Sequence, residues 1–187
     1  MFNAIAIARH IVVHLSQDVT KDRLSIMKLL KLVYIMHGGY LALKKEPLIQ
    51  EEVEAWVYGP VIRELYVELK ECNTRFVHKE FFSDRFEDTF DEITQSILKK
   101  IFNQYQDFDA WELSDMTHKK GTPWDQVYSQ GQNNFIPNKL IQKYYEPEDT
   151  KYILNTEDKF KNIFEEFNEK LDDFISKSEI NYNKFYK

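Results

Sequence analysis

Few side chains in this sequence could do chemistry, and they fall in three places. His10 and His14 are four residues apart, which on a helix puts both imidazoles on one face, where they could chelate a metal. No Glu follows the first histidine and no third ligand is apparent, so the pair reads instead as two histidines at the rim of a core-facing stripe. Asp115 and His118, with Ser114 and Thr117 beside them, could form a hydrolytic site with His118 as base and a hydroxyl as nucleophile. Such a site also needs a group that orients the base, and one short helix rarely supplies it. The alternative is that Thr117 and His118 pin the loop that follows while Trp124 fills a core slot. The last place is Lys31, set between Leu30 and Leu32 with Lys28 one turn earlier. Its amine can snorkel to solvent, pair with Glu54 or Glu64, or join an interface. The chain contains no Gly-x-Ser-x-Gly elbow, phosphate-cradling glycine loop or Cys/His cluster. The residues therefore assign no catalytic group, no metal and no cofactor.

The elements that carry these residues read as mainly helical. Asn3 caps a first helix over 3–16, and Ser25 caps a second whose Ile26, Leu29, Leu30, Val33, Met36 and Tyr40 form one broad stripe. Gly38-Gly39 inside it costs about 1 kcal/mol per residue relative to alanine, which suits either a backbone passing close by or a bend. Lys44 to Pro47 ends that helix. Val53, Ala55 and Val57 then alternate with Glu54, Trp56 and Tyr58, the period of a short strand. Gly59-Pro60 follows at once, in a chain with only five glycines and five prolines. Gly59 offers free dihedrals for a strand-to-helix corner and Pro60 fits the first position of the helix bearing Val61, Ile62, Leu65, Tyr66 and Leu69. The corner could also present Trp56 and Tyr58 to a partner, although burial is the usual fate of a Trp.

Further along, residues 75–82 alternate loosely and could pair with the 51–58 strand. Phe90, Ile93, Ile97, Ile101 and Tyr105 predict a long helix over 86–105, residues 111–118 a short one, Pro123-Trp124 another, and Pro137 opens a helix with Leu140, Ile141 and Tyr144. Pro147 to Thr150 is the best boundary, separating a helical domain over 1–147 from an acidic extension over 148–187. In that extension Phe160, Phe164, Phe167 and Leu171 recur at helical spacing. They suit a helix docked on the domain or anchors for a partner's groove.

Composition narrows the function further. With 187 residues, 43% hydrophobic and 15% aromatic, the chain can bury a core of one domain. A net charge of −6 argues against direct nucleic-acid binding, which depends on neutralising phosphates. Residues 1–50 hold seven basic and three acidic groups, whereas residues from 146 onward hold eleven acidic groups and seven lysines. A single cysteine, Cys72, fits a reducing compartment. No stretch reads as a signal peptide or a membrane span, so a soluble, cytoplasmic protein is expected.

Taken in order, Lys31-Leu32-Val33-Tyr34, then Ala55-Trp56-Val57-Tyr58-Gly59-Pro60-Val61, then Thr117-His118 and Pro123-Trp124, resemble the Panacea domain family of SocA-like antitoxins and phage-associated proteins. The resemblance spans about residues 24–145, roughly two thirds of the chain, and implies that these motif residues build a shared scaffold or an interface. It also implies a compact, mainly α domain with a short β element, no established catalytic activity, and function through binding a cognate toxin. Some members act as adaptors that hand the toxin to an ATP-dependent protease. A phage regulatory protein without a toxin partner is the alternative, and a hydrolase using Asp115 and His118 a more distant one. About twenty residues precede the domain, too few for a DNA-binding module. The acidic extension lies outside the family motifs and could encode partner choice. Its charge could steer a basic toxin.

Overall fold

The computed structural model describes residues 1–16, 24–74, 76–82, 89–128 and 133–146. The chain divides into two units, Met1–Asp149 and Thr150–Lys187, and every described residue belongs to the first. The first helix, α1 (Ala4–His10), starts where Asn3 Oδ1 accepts the Ile5 N–H at 2.9 Å. It then widens into a π-helical turn over Ile11–Leu15 instead of continuing as α-helix to residue 16. The second helix, α2 (Ile26–Lys44), is capped by Ser25 Oγ, which accepts the Lys28 N–H at 3.2 Å, and ends with Lys45 in the left-handed region at φ 59°.

Around α2 pack α1, α3 (Arg63–Lys70), α4 (Glu92–Tyr105), α5 (Ala110–His118) and α7 (Asn138–Tyr145). The short α6 (Pro123–Val127) lies against α5 and α7. Contrary to the sequence-based expectation, α2 is long and apolar enough to cross a membrane by length and composition. Yet 83% of that stretch is buried inside the protein. A helix that is apolar all round belongs at the centre of a core, and Lys28, Lys31 and His37 along it are all enclosed by neighbouring elements.

Gly38 serves a close approach, of a side chain rather than a backbone. The Tyr145 ring of α7 lies so near that a Cβ on Gly38 would sit 2.3 Å from Cε2. Alanine there gains about 1 kcal/mol of helix propensity but forces the ring outward, an overpacking that typically costs about 1–3 kcal/mol. Gly38→Ala should therefore lower stability, and in a Tyr145→Ala background the same change should become neutral or stabilising. A double-mutant cycle by urea unfolding measures the coupling, and equal effects in both backgrounds would contradict the ring contact.

His37 sits fully enclosed between the same two helices. Its Nε2 donates to Asn138 Oδ1 (2.9 Å), and Nδ1 has no hydrogen-bond partner among the described residues. Burial lowers its pKa from 6.5 to about 4, against the opposing effect of the Asn138 bond. The unfolded chain takes up this proton near pH 6.5 and the folded protein only near pH 4. The buried imidazole's contribution is thus complete above pH 6.5 and is lost as pH falls to about 4, on the order of 3 kcal/mol. His37→Leu should reduce the acid sensitivity measured by urea unfolding between pH 7 and pH 4.5. A variant as acid-sensitive as the wild type would contradict the assignment. His10, lowered to about 4 by burial and by its neighbours His14 and Arg9, keeps part of that slope in the variant.

The β element is a three-stranded sheet in the order β2-β1-β3. Strand β1 (Val53–Trp56) pairs antiparallel with β2 (Gly59–Ile62), Val53 opposite Ile62 and Trp56 opposite Gly59, leaving Val57-Tyr58 as the tip of a hairpin. This corrects the strand-to-helix corner expected at Gly59-Pro60. The chain first makes a second strand, and α3 begins only at Arg63. Pro60 occupies an edge strand, where a missing N–H is tolerated, and not the first turn of a helix. Gly59 does use the free dihedrals expected of it, with φ at +96°.

The other neighbour of β1 is β3 (Asn134–Phe135), with Glu54 opposite Phe135. The 75–82 stretch does not fill that place: Phe76 bridges Ser25, and Lys79–Phe82 is a 3-10 turn. Helix α4 likewise starts only at Glu92, capped by Asp91, so residues 89–91 lie outside the long helix expected over 86–105. Phe90 extends the apolar pattern because it packs edge-on against Phe2 at 4.6 Å and His10 at 5.0 Å, ahead of the cap.

Candidate functional site

Two separate stretches of chain, α2 and α5, meet behind the hairpin, and Gly59 is where they touch it. A Cβ at Gly59 would lie 2.5 Å from Lys31 Nζ on α2, 2.7 Å from His118 Cε1 and 3.1 Å from Thr117 Oγ1 on α5. The residue needs glycine twice over, for its positive φ and for the space.

Lys31 neither snorkels nor pairs with Glu54 or Glu64. Only 1% of its surface is exposed, and its Nζ donates to the carbonyls of Tyr58 (2.5 Å) and Pro60 (3.2 Å). Burial lowers its pKa from 10.5 to about 7. Glu54 is buried for a different reason: its Oε2 accepts the indole N–H of Trp56 at 2.7 Å. Glu64 is exposed.

His118 and Thr117 turn back onto their own helix and the hairpin, and do not pin the loop that follows. Thr117 Oγ1 donates to the Ser114 carbonyl (2.8 Å), and His118 Nδ1 donates to the same carbonyl (2.6 Å). His118 Nε2 lies 3.4 Å from the Val57 carbonyl, so only the imidazolium can donate to both. Trp124 does not fill a core slot. It is half-buried, its Nε1 donates to the Trp56 carbonyl (2.7 Å), and its ring is 4.3 Å from that of His118 and stacked on Tyr128. The cap that places it is Thr122, whose Oγ1 accepts the Asp125 N–H at 3.2 Å, with Pro123 buried at the first helical position.

The hairpin carbonyls of residues 56, 57, 58 and 60 are thus faced by side chains from α6, α5, α2 and α2 again. Trp56 is half-buried against Tyr66 at 5.2 Å, whereas Val57 and Tyr58 at the tip are 62% and 66% exposed. Tyr34, one turn beyond Lys31, stays out of this cluster: its ring meets Tyr145 at 6.2 Å and burial raises its hydroxyl pKa.

This geometry opposes the hydrolytic role. His118 Nδ1 is committed to a backbone carbonyl, so it cannot take a proton from Ser114, whose Oγ lies 3.4 Å away. The Thr117 hydroxyl is likewise committed, and Asp115 is exposed. The rings of His10 and His14 are 5.3 Å apart, and among the described residues no group of three His, Cys, Asp or Glu side chains could hold a metal ion. Phe160, Phe164, Phe167 and Leu171 lie outside the described residues.

Sequence analysis missed the acceptors. Every donor in the cluster had been singled out, but their partners are main-chain carbonyls, which any residue type supplies. The match that unites these stretches is to one family model, described as Antitoxin SocA-like, Panacea domain, over residues 29–125, just over half of the chain. It opens just before Lys31 and closes just after Trp124. No curated protein and no solved structure matched.

Proposed function

Because the chain belongs to the SocA-like antitoxin family that carries the Panacea domain, we propose that it neutralises a cognate protein toxin by direct binding. The family implies a protein partner and favours a role without catalysis. One structural observation supports this most: the polar groups of Lys31, Thr117, His118 and Trp124 all face backbone carbonyls. Lys31 and Trp124 hold the hairpin in place, while Thr117 and His118 Nδ1 are taken up by a carbonyl of their own helix, which supports a scaffold role over a reactive one. The setting we propose is the cytoplasm, in keeping with a single cysteine, Cys72.

The test is growth of cells expressing each reading frame adjacent to this one, with and without this protein. One neighbour should arrest growth and this protein should restore it, with the two chains co-purifying. Neighbours that are all harmless would count against the antitoxin role and favour a regulatory binding protein. Delivery to an ATP-dependent protease is separable from simple sequestration. Under delivery the toxin disappears only in cells that contain the protease, and under sequestration it persists as a stable complex.

A further inference from the structure

We infer that the exposed Val57-Tyr58 tip is the anchor by which this protein grips its partner, and that the partner offers an apolar pocket rimmed by carboxylates. The inference rests on the binding role proposed above. Hairpin tips usually carry Gly, Asn or Asp, because the turn demands positive φ or polar contacts with the backbone. Here Gly59 takes the positive φ and neither tip residue does. The backbone therefore makes no demand on the side chains at 57 and 58, and solvent would favour polar ones. The sequence nevertheless places a β-branched and an aromatic residue there, both mostly exposed. Folding gains little from either side chain, whereas an exposed Tyr is a frequent hot spot of protein interfaces.

Rigidity points the same way. Loop tips are ordinarily the most mobile part of a hairpin. This one is gripped from behind: Trp124 donates to the carbonyl of Trp56, Lys31 to those of Tyr58 and Pro60, and the His118 ring faces that of Val57. A tip already ordered in the free protein gives up less conformational freedom on binding, which strengthens association without added contacts.

The partner's character follows from local charge. Lys119 and Lys120 immediately follow His118, whose Nε2 lies 3.4 Å from the Val57 carbonyl, and both are exposed. Of the net −6, residues 146–187 account for −4 (eleven acidic, seven basic), which leaves −2 for residues 1–145. Rim charges of this kind set association rate and salt dependence more than final affinity.

The experiment uses the full chain and the neighbouring toxin that it neutralises in the growth test. Tyr58→Ser, and Val57→Ser with Tyr58→Ser, should weaken toxin binding at least tenfold and lose growth rescue. Their melting temperatures should stay within about 2 °C of wild type, as for other exposed positions. Val67→Ser, an exposed apolar residue on α3, serves as the control and should bind normally. Lys119→Glu with Lys120→Glu should slow association and flatten its salt dependence.

A tip double variant that binds and rescues like wild type would overturn the anchor while leaving the antitoxin role intact. A lysine reversal without effect on rate or salt dependence would overturn the acidic rim. If wild type neutralises and binds no toxin, the antitoxin role itself fails and the inference falls with it. The wild-type arm tells these cases apart.

Discussion

Gly59→Ala should lose roughly 3–5 kcal/mol of folding stability, a large part of what a domain this size has. Two costs combine. An L-residue held at φ +96° is strained by about 1–3 kcal/mol, and the new methyl collides with groups that have little room to yield. Lys31 Nζ, the nearest at 2.5 Å, is the end of a long side chain, but it is buried and tied to two carbonyls. His118 Cε1 at 2.7 Å is held by the bond from Nδ1 to the Ser114 carbonyl. Gly59→Val should be worse and yield little soluble protein. Urea unfolding of Gly59→Ala reads the effect. A loss below about 1 kcal/mol would mean that the hairpin re-forms around the methyl, and the strain argument would be wrong.

Lys31→Met is the second large effect, and its sign changes little while its size depends on pH. Methionine fills the space without a donor, leaving the buried Pro60 carbonyl unsatisfied at about 1–3 kcal/mol and the part-buried Tyr58 carbonyl without its partner at a smaller cost. Part of this is offset because no amine need be buried, so a net loss of roughly 3 kcal/mol is expected near pH 8. The folded amine titrates near 7 and the unfolded one near 10.5. Between those values unfolding takes up a proton, so raising the pH favours the folded wild type and does nothing through this site in the variant. The gap between the two proteins should therefore widen from pH 7 to pH 9, by at most about 1.4 kcal/mol per pH unit. Denaturant unfolding at pH 6.5, 8 and 9 checks it. A gap that narrows with pH would show that a carboxylate, and not desolvation, governs Lys31.

Both predictions concern residues that sequence analysis had singled out, yet it placed neither in its true setting. Asn3, Ser25, Pro123 and Pro137 were legible because capping and fixed φ are local. A Ser three residues before an amide, or a Pro at a helix start, acts within one turn whatever the rest of the chain does. The apolar stripe of α2 and the positive φ at Gly59 were legible for the same reason, and the ordered motif blocks were enough to place the chain in its family.

What the tertiary structure alone decided was who meets whom across long separations. Pro60 could have started a helix, but β1 lay alongside and the chain paired as a hairpin before α3 began. Gly38 could have admitted a backbone or a bend, and it was the Tyr145 ring, more than a hundred residues away in sequence, that came to lie on it. Lys31, His118 and Trp124 found carbonyls, which are present at every residue and so leave no mark in residue type. Local sequence sets the dihedrals and the caps. Packing of α2 against α5, α7 and the hairpin sets the partners, because a contact depends on the positions of both segments at once.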